Sequence, residues 1–158
     1  MRPLLTIGLA IGLAVSGSGA AAAAHLAVVV NKESPAEGLS FNELVKIFKQ
    51  EKQYWESGQK IYLIMRESGA PEKELLLKKV YRMEDEKLKK FWLGKLYRGE
   101  ITALPKTLGS NEAVKRFVRQ APNAIGVIDA SFVDETVKIL RIDGKRPGEA
   151  GYALADGL

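Results

Sequence analysis

The chain has 158 residues, a formal net charge of +5 at pH 7, 46% hydrophobic residues and 27% charged residues. This length suits one domain, and the composition is typical of a globular protein and not of a disordered one. Cysteine is absent and His25 is the only histidine, which excludes disulfides, cysteine-ligated zinc and multi-histidine metal sites. We therefore expect one globular domain with no bound metal and no cofactor.

The first 24 residues have the pattern of a secretory signal peptide. Arg2 supplies a positive start, about 12 apolar residues follow, and residues 16–24 are small. An uncleaved membrane anchor is the alternative, because apolar residues resume at Leu26. The Ser-Gly-Ser-Gly run at 16–19 favours cleavage. We therefore expect a periplasmic or secreted protein, with no stable membrane insertion after cleavage.

The remaining chain alternates between apolar strand-like runs and amphipathic helical patterns. Ser40 and Glu43 form an S-x-x-E capping box that predicts the start of the first helix. The pattern predicts strands at 27–31, 61–65, 124–128 and 137–142, and helices from Ser40 and over 71–81, 84–98 and 110–120. We predict an α/β fold with a small mixed or mostly parallel sheet flanked by helices. The expected organisation is a signal peptide at 1–24, a domain at 25–143, and a loosely held C-terminal tail at 144–158.

The turn that follows the second predicted strand is the strongest candidate for a binding site. The strand ends at Arg66, Ser68 and Gly69 come next, and Pro71 begins a predicted helix. Helix N-termini offer unpaired N–H groups, and arginine offers a planar fork that matches phosphate or carboxylate. The pattern therefore indicates a site for a small oxyanion. The alternative is an ordinary strand-to-helix turn in which Arg66 pairs with an acid such as Glu67.

The middle helices are rich in lysine and arginine, which could suit nucleic acid or anionic lipid. Acidic residues at 84–86 interrupt the basic run, and this favours an ordinary solvated face. We therefore expect no nucleic-acid partner. The acidic residues also form no recognisable acid/base arrangement, so we predict that the protein is not an enzyme and has no catalytic residues.

Several short motifs recur in a characteristic order along the chain. They are VVVN at 28–31, IF at 47–48, W-x-x-G at 55–58, a strand ending in Arg66, Tyr-Arg at 81–82, Phe-Trp at 91–92, Arg-Gly-Glu at 98–100, and Pro-Asn-Ala-Ile-Gly-Val at 122–127. Their order resembles that of the phosphate-type (PstS-like) periplasmic substrate-binding proteins of the type II superfamily. The resemblance covers roughly residues 27–141.

The resemblance implies one lobe only, because a full member of that family has two lobes that close on the ligand. It implies ligand contacts from Arg66, Ser68, Gly69 and Ala70, and an accessory role in a phosphate-type ABC uptake system. Ala70 stands where the family has a threonine, and Glu67 would repel an anion, so the implied recognition of phosphate or a similar oxyanion is weak.

A secreted protein-interaction module without a small ligand, and with a periplasmic protein as partner, is the alternative function. Convergence of Arg66 and Ser68 in an open pocket would favour anion binding, whereas burial of Arg66 against an acid would favour the interaction module.

Overall fold

The computed structural model of the protein describes residues 25–157. The predicted signal peptide lies outside the described residues, so its cleavage stays a prediction. Within residues 25–157, no helix combines the length and the apolar character that crossing a bilayer requires.

Strands and helices follow one another along the described chain as the sequence predicts, with two short strands added. The strands are β1 (Leu26–Val30), β2 (Gly38–Leu39), β3 (Tyr62–Arg66), β4 (Lys106–Leu108), β5 (Ala124–Asp129), β6 (Lys138–Ile139) and β7 (Arg141–Ile142). The α-helices are α1 (Phe41–Phe48), α2 (Pro71–Leu76), α3 (Asp85–Tyr97) and α4 (Asn111–Gln120). A π-helical turn, Leu77–Tyr81, continues α2, and a 3₁₀ turn, Ala130–Phe132, follows β5.

The central sheet has five strands in the order β4-β3-β5-β1-β6. Strand β3 runs parallel to both of its neighbours, β4 and β5, whereas β1 runs antiparallel to β5 and β6. Strands β2 and β7 form a separate parallel pair. The predicted α/β fold, a small mixed sheet flanked by helices, is therefore confirmed.

Both faces of the sheet are covered at the inner strands β1, β3 and β5, which explains why these three strands appear in the sequence as continuous apolar runs. Val28 belongs to the larger core cluster with α1, α2 and α3, while the adjacent Val29 belongs to the cluster under α4. Helix α4 packs closely on β5, where a Cβ on Gly126 would lie 2.7 Å from a methyl carbon of Val114. A side chain at Gly126 would therefore push α4 away from the sheet.

Helix α1 begins as its capping box predicts. The Ser40 hydroxyl accepts a hydrogen bond from the Glu43 N–H at 3.1 Å, and the Glu43 carboxylate accepts one from the Ser40 N–H at 3.0 Å. These two bonds satisfy backbone donors that the first helical turn would otherwise leave free. Leu44, Ile47 and Phe48 are then fully buried against the sheet.

Two predicted elements differ in the structure. The predicted helix 71–81 is α-helical only to Leu76 and ends as a π-turn, which places the buried Tyr81 hydroxyl 3.0 Å from the Phe48 carbonyl as a hydrogen-bond donor. The predicted strand 137–142 divides at Leu140 into β6 and β7, which belong to different sheets.

The prediction of a loosely held C-terminal segment is wrong. Tyr152 and Leu154 are buried in the main core cluster. The Tyr152 hydroxyl donates to the Leu26 carbonyl at 2.7 Å, and the Leu26 N–H donates to the Leu154 carbonyl at 3.0 Å. The surrounding residues are mostly small, so the sequence gives no pattern that indicates these two buried side chains or their attachment to β1.

Candidate functional site

The predicted binding turn lies at the carboxyl end of β3, in the middle of the parallel part of the sheet. Strands β4 and β5 flank β3 and run in the same direction, so their carboxyl ends share one edge with it. Ligands of open α/β sheets bind in this kind of crevice. Ser68 and Gly69 are exposed at this edge, and Gly69 has a φ of +84°, which a glycine adopts without strain.

The Arg66 side chain is buried and makes its polar contacts inside the protein. Its side chain is only 10% exposed, its Nη1 lies 2.7 Å from Oε2 of Glu72, and its Nη2 donates to the Gly109 carbonyl at 3.3 Å. Its Nε atom is buried and has no partner among the described residues. The guanidinium therefore pairs with an acid, as the alternative interpretation of the turn expected, although the acid is Glu72 and not Glu67.

The Arg66–Glu72 pair belongs to a longer chain of polar contacts. Oε1 of Glu72 accepts a hydrogen bond from Nδ2 of Asn111 at 2.6 Å, and Oδ1 of Asn111 accepts one from the backbone N–H of Asp129 at 3.2 Å. Arg66 ends β3, Asn111 begins α4 after β4, and Asp129 ends β5. The network therefore ties together the loops that follow three neighbouring strands.

A second group of charges lies beside Ser68. Nζ of Lys73 donates to the Ser68 hydroxyl at 3.2 Å and lies 2.8 Å from Oδ1 of Asp85, while Nζ of Lys89 lies 3.2 Å from Oδ2 of Asp85. The Lys73–Asp85 contact is an ion pair and not a well-aligned hydrogen bond, because Oδ1 of Asp85 has no hydrogen-bond partner by geometry.

Lys73 is the main influence on the Asp85 carboxyl. The Lys73 ammonium lowers the pKa of Asp85 from 3.8 to about 2, and partial burial opposes this shift. Ser68 and Lys89 add smaller contributions that also lower this pKa. Asp85 is therefore a carboxylate at neutral pH, and two ammonium groups share it.

The four predicted ligand residues occupy different environments. Ser68 and Gly69 are exposed, and their backbone N–H groups donate to no acceptor within residues 25–157. Ala70 is buried, and its N–H donates to the Glu67 carbonyl at 3.2 Å. Arg66 lies beneath the loop. The open part of the candidate site therefore consists of Ser68 and Gly69, with Lys73 next to them.

Sequence reasoning missed Glu72, Asn111 and Asp85. Glu72 could have been found from the sequence, because acidic residues are favoured in the first turn of a helix. It also lies only six residues after Arg66. Asn111 and Asp85 carry no such local signal. They reach the site only through the packing of α4 and α3 against the sheet.

No family model matches the sequence. Solved structures do match the fold. An ABC-type phosphate transport receptor from Vibrio cholerae superposes with a TM-score of 0.70 at 22% identity, over 85% of this chain and 55% of that one. PstS from Borrelia burgdorferi gives a TM-score of 0.68 at 18% identity, over 86% and 56% of the two chains.

A third match comes from Clostridium perfringens, a protein described as a phosphate ABC transporter substrate-binding protein and solved with bound phosphate. Its TM-score is 0.64 at 22% identity, over 78% of this chain and 46% of that one. The chain thus spans about half the length of the structures it matches, and identities at this level establish the fold alone. The chain has the fold of one lobe of a phosphate-type periplasmic substrate-binding protein.

Proposed function

We propose that this chain is an exported substrate-binding-like domain that recognises a small oxyanion such as phosphate weakly, as an accessory to a phosphate-type ABC uptake system. The observation that carries the proposal is the exposed Ser68–Gly69 turn, whose backbone N–H groups have no acceptor within the described residues. Consecutive free N–H groups form concavities that attract anions. The neighbours described as phosphate transport proteins support the same ligand class.

The proposed ligand residues have separate roles. Ser68 offers its hydroxyl and N–H to the anion, and Gly69 offers an N–H that no side chain shields. Ala70 is the N-cap residue immediately before α2. Arg66 supports the turn from beneath through Glu72, because its Nη atoms are already occupied.

Weak binding follows from the charges around the turn. Glu72 neutralises Arg66. Asp85 and Glu86 together neutralise the two nearby lysines, and the exposed Glu67 adds a repulsive charge. Contacts from one lobe leave the ion partly hydrated, which weakens its electrostatic attraction. We expect a Kd in the high micromolar to millimolar range, which corresponds to a binding free energy of about 4–6 kcal/mol in magnitude.

The proposed class is non-enzymatic. The structural neighbours are named as transport and binding proteins, and we propose binding without catalysis, cofactor or nucleic acid. The sequence pattern of residues 1–24 supports export to the periplasm or the exterior. N-terminal sequencing of the exported protein should find a start between Ala21 and His25.

A secreted protein-interaction module is the second candidate, and the burial of Arg66 against Glu72 favours it. An arginine that is buried and paired with an acid inside the protein does not need an external anion. In this case the exposed strand-end loops would contact a periplasmic protein partner.

An NMR titration with inorganic phosphate at constant ionic strength tests the proposal. We expect amide shifts at Ser68, Gly69 and Ala70 below tens of millimolar, and a loss of affinity of about tenfold in Ser68→Ala, because one hydrogen bond to a charged group is removed. Lys46→Ala, at an exposed position of α1, removes a positive charge and serves as the control. An absence of shifts at all three amides would place the interaction module first.

A further inference from the structure

A groove of about 370 Å³ adjoins the Ser68 turn. Much of its wall is apolar and consists of Met65, Trp92, Leu93, Leu104 and Pro105. Ligand pockets of a few hundred Å³ have this character, with a mainly apolar lining and a few placed polar groups. A five-atom inorganic ion would leave most of such a groove empty.

The two charged side chains of the groove lie close to Ser68. Ser68, Lys73 and Lys89 line it and are linked to one another through direct contacts or through Asp85. Strands β3 and β4 are parallel with Met65 opposite Thr107. Leu104 therefore lies before the paired segment and Ser68 lies beyond it, so the apolar end and the polar end are separated along the strands.

Two apolar side chains of the groove wall are about half exposed. Leu93 is 47% exposed and Leu104 is 49% exposed. The indole N–H of Trp92 is buried and has no acceptor among the described residues. The exposed leucines favour an occupant with an apolar group, because its entry would remove both of them from water.

Of the two lysines, Lys89 is the one that can rearrange to meet an anion. They share the single carboxylate of Asp85, and Lys89 has a second partner in Glu86, whose side chain is 79% exposed. The side chain of Lys89 is itself about half exposed. Surface pairs of this kind contribute little and reorganise easily, so the Lys89 ammonium can turn towards a doubly charged ligand.

Building on the proposed function, we propose that the site takes a small anion carried on an apolar body, such as an aromatic phosphate monoester. Its phosphate group binds at Ser68, Gly69 and the two lysines, and its apolar body lies in the groove between Trp92 and Leu104. The inference names a ligand class and extends the site beyond the turn.

The test compares phenyl phosphate, inorganic phosphate and neutral phenol by NMR titration of the whole exported chain at constant ionic strength. The amides of Ser68 and Gly69 report the polar end, and the Trp92 indole N–H reports the groove. We expect phenyl phosphate to bind at least tenfold more tightly than inorganic phosphate and to shift all three signals.

Leu104→Ser provides the matched variant, because Leu104 is exposed and its replacement should not disturb the core. We expect it to reduce the preference for phenyl phosphate to less than threefold while inorganic phosphate binds as before. Tyr97→Ser, at an exposed position outside the groove lining, should change neither affinity.

The outcomes separate this inference from the proposed function. Equal affinities for the two phosphates, or phenol binding as tightly as phenyl phosphate, would overturn the apolar-anion inference even if inorganic phosphate shifts Ser68. Shifts from phenyl phosphate alone would support the inference and remove inorganic phosphate as the ligand. If neither phosphate shifts any of the three signals, both proposals fail.

Discussion

Arg66 and Glu72 form a buried ion pair, with Nη1 of the arginine 2.7 Å from Oε2 of the glutamate. The second oxygen of Glu72 is held by Asn111, so the carboxylate is satisfied on both sides. A buried pair need not stabilise a fold more than apolar residues would, but removing one partner leaves an uncompensated charge. The pair therefore keeps the strand-end loops in place and withdraws Arg66 from solvent.

Replacing Glu72 with alanine should strongly destabilise the protein. The change strands the Arg66 guanidinium in a buried position and removes the acceptor of Asn111, so the free energy of unfolding should fall by about 3–5 kcal/mol. Urea unfolding measures this. Glu74→Ala, at an exposed position of the same helix, should change stability by about 0.5 kcal/mol or less. Equal effects of the two variants would contradict a structural role for the pair.

The sequence predicted where Arg66 lies but not what it contacts. The strand end, the turn and the helix start depend on residues within one short segment, so local patterns reveal them. The partner Asn111 is 39 residues from Glu72 along the chain, and their contact depends on how α4 packs. Sequence patterns contain no signal for such a pairing.

The same distinction between local and tertiary signals applies to the fold. Strands β1, β3 and β5 were predictable, because burial on both faces gives them continuous apolar runs. Strand β4 has three residues, and two of them are exposed, so it leaves no apolar pattern. The C-terminal segment was misjudged because Tyr152 and Leu154 stand among small residues.

Asp85→Asn should reduce stability in a pH-dependent way. The pKa of Asp85 is lowered from 3.8 to about 2, so its contribution is present above pH 4 and is lost as the pH falls towards 2. At pH 7 the variant should unfold more readily than the wild type, and the difference should shrink at pH 2.5. Urea unfolding at both pH values measures this difference. If the difference in the free energy of unfolding between the wild type and the variant does not depend on pH, the Lys73–Asp85 pairing is contradicted.

Asp85→Asn should also strengthen phosphate binding. The substitution removes one negative charge beside Ser68 and releases Lys73 from its ion pair, so the affinity for phosphate should rise about fivefold at low salt. Added sodium chloride should reduce the gain by screening the charges. The phosphate titration described above measures the effect, and Glu112→Gln, at an exposed position of α4, is the charge-matched control.

Phe48 and Phe117 should respond differently to truncation. The structure buries Phe48 fully and Phe117 only partly. Phe48→Ala should therefore lower the free energy of unfolding by about 3–5 kcal/mol through the cavity it leaves. Phe117→Ala should lower it by about half as much, because the fold buries less of the Phe117 side chain. Thermal unfolding of the two variants should rank them in this order, and the reverse ranking would contradict the placement of α4.

The C-terminal segment should be essential for stability. Leu154 is fully buried in the core cluster, so Leu154→Ala should cost about 2–5 kcal/mol. Tyr152→Phe keeps the ring but removes the donor to the Leu26 carbonyl, which should cost about 1 kcal/mol.

Truncation after Ala150 removes both Tyr152 and Leu154 and uncovers β1, so the shortened protein should melt well below either point variant. The exposed position Asp156 provides the control, since Asp156→Asn leaves both side chains in place. If the truncated protein melts at the same temperature as the full chain, the packing of this segment contributes nothing to the fold.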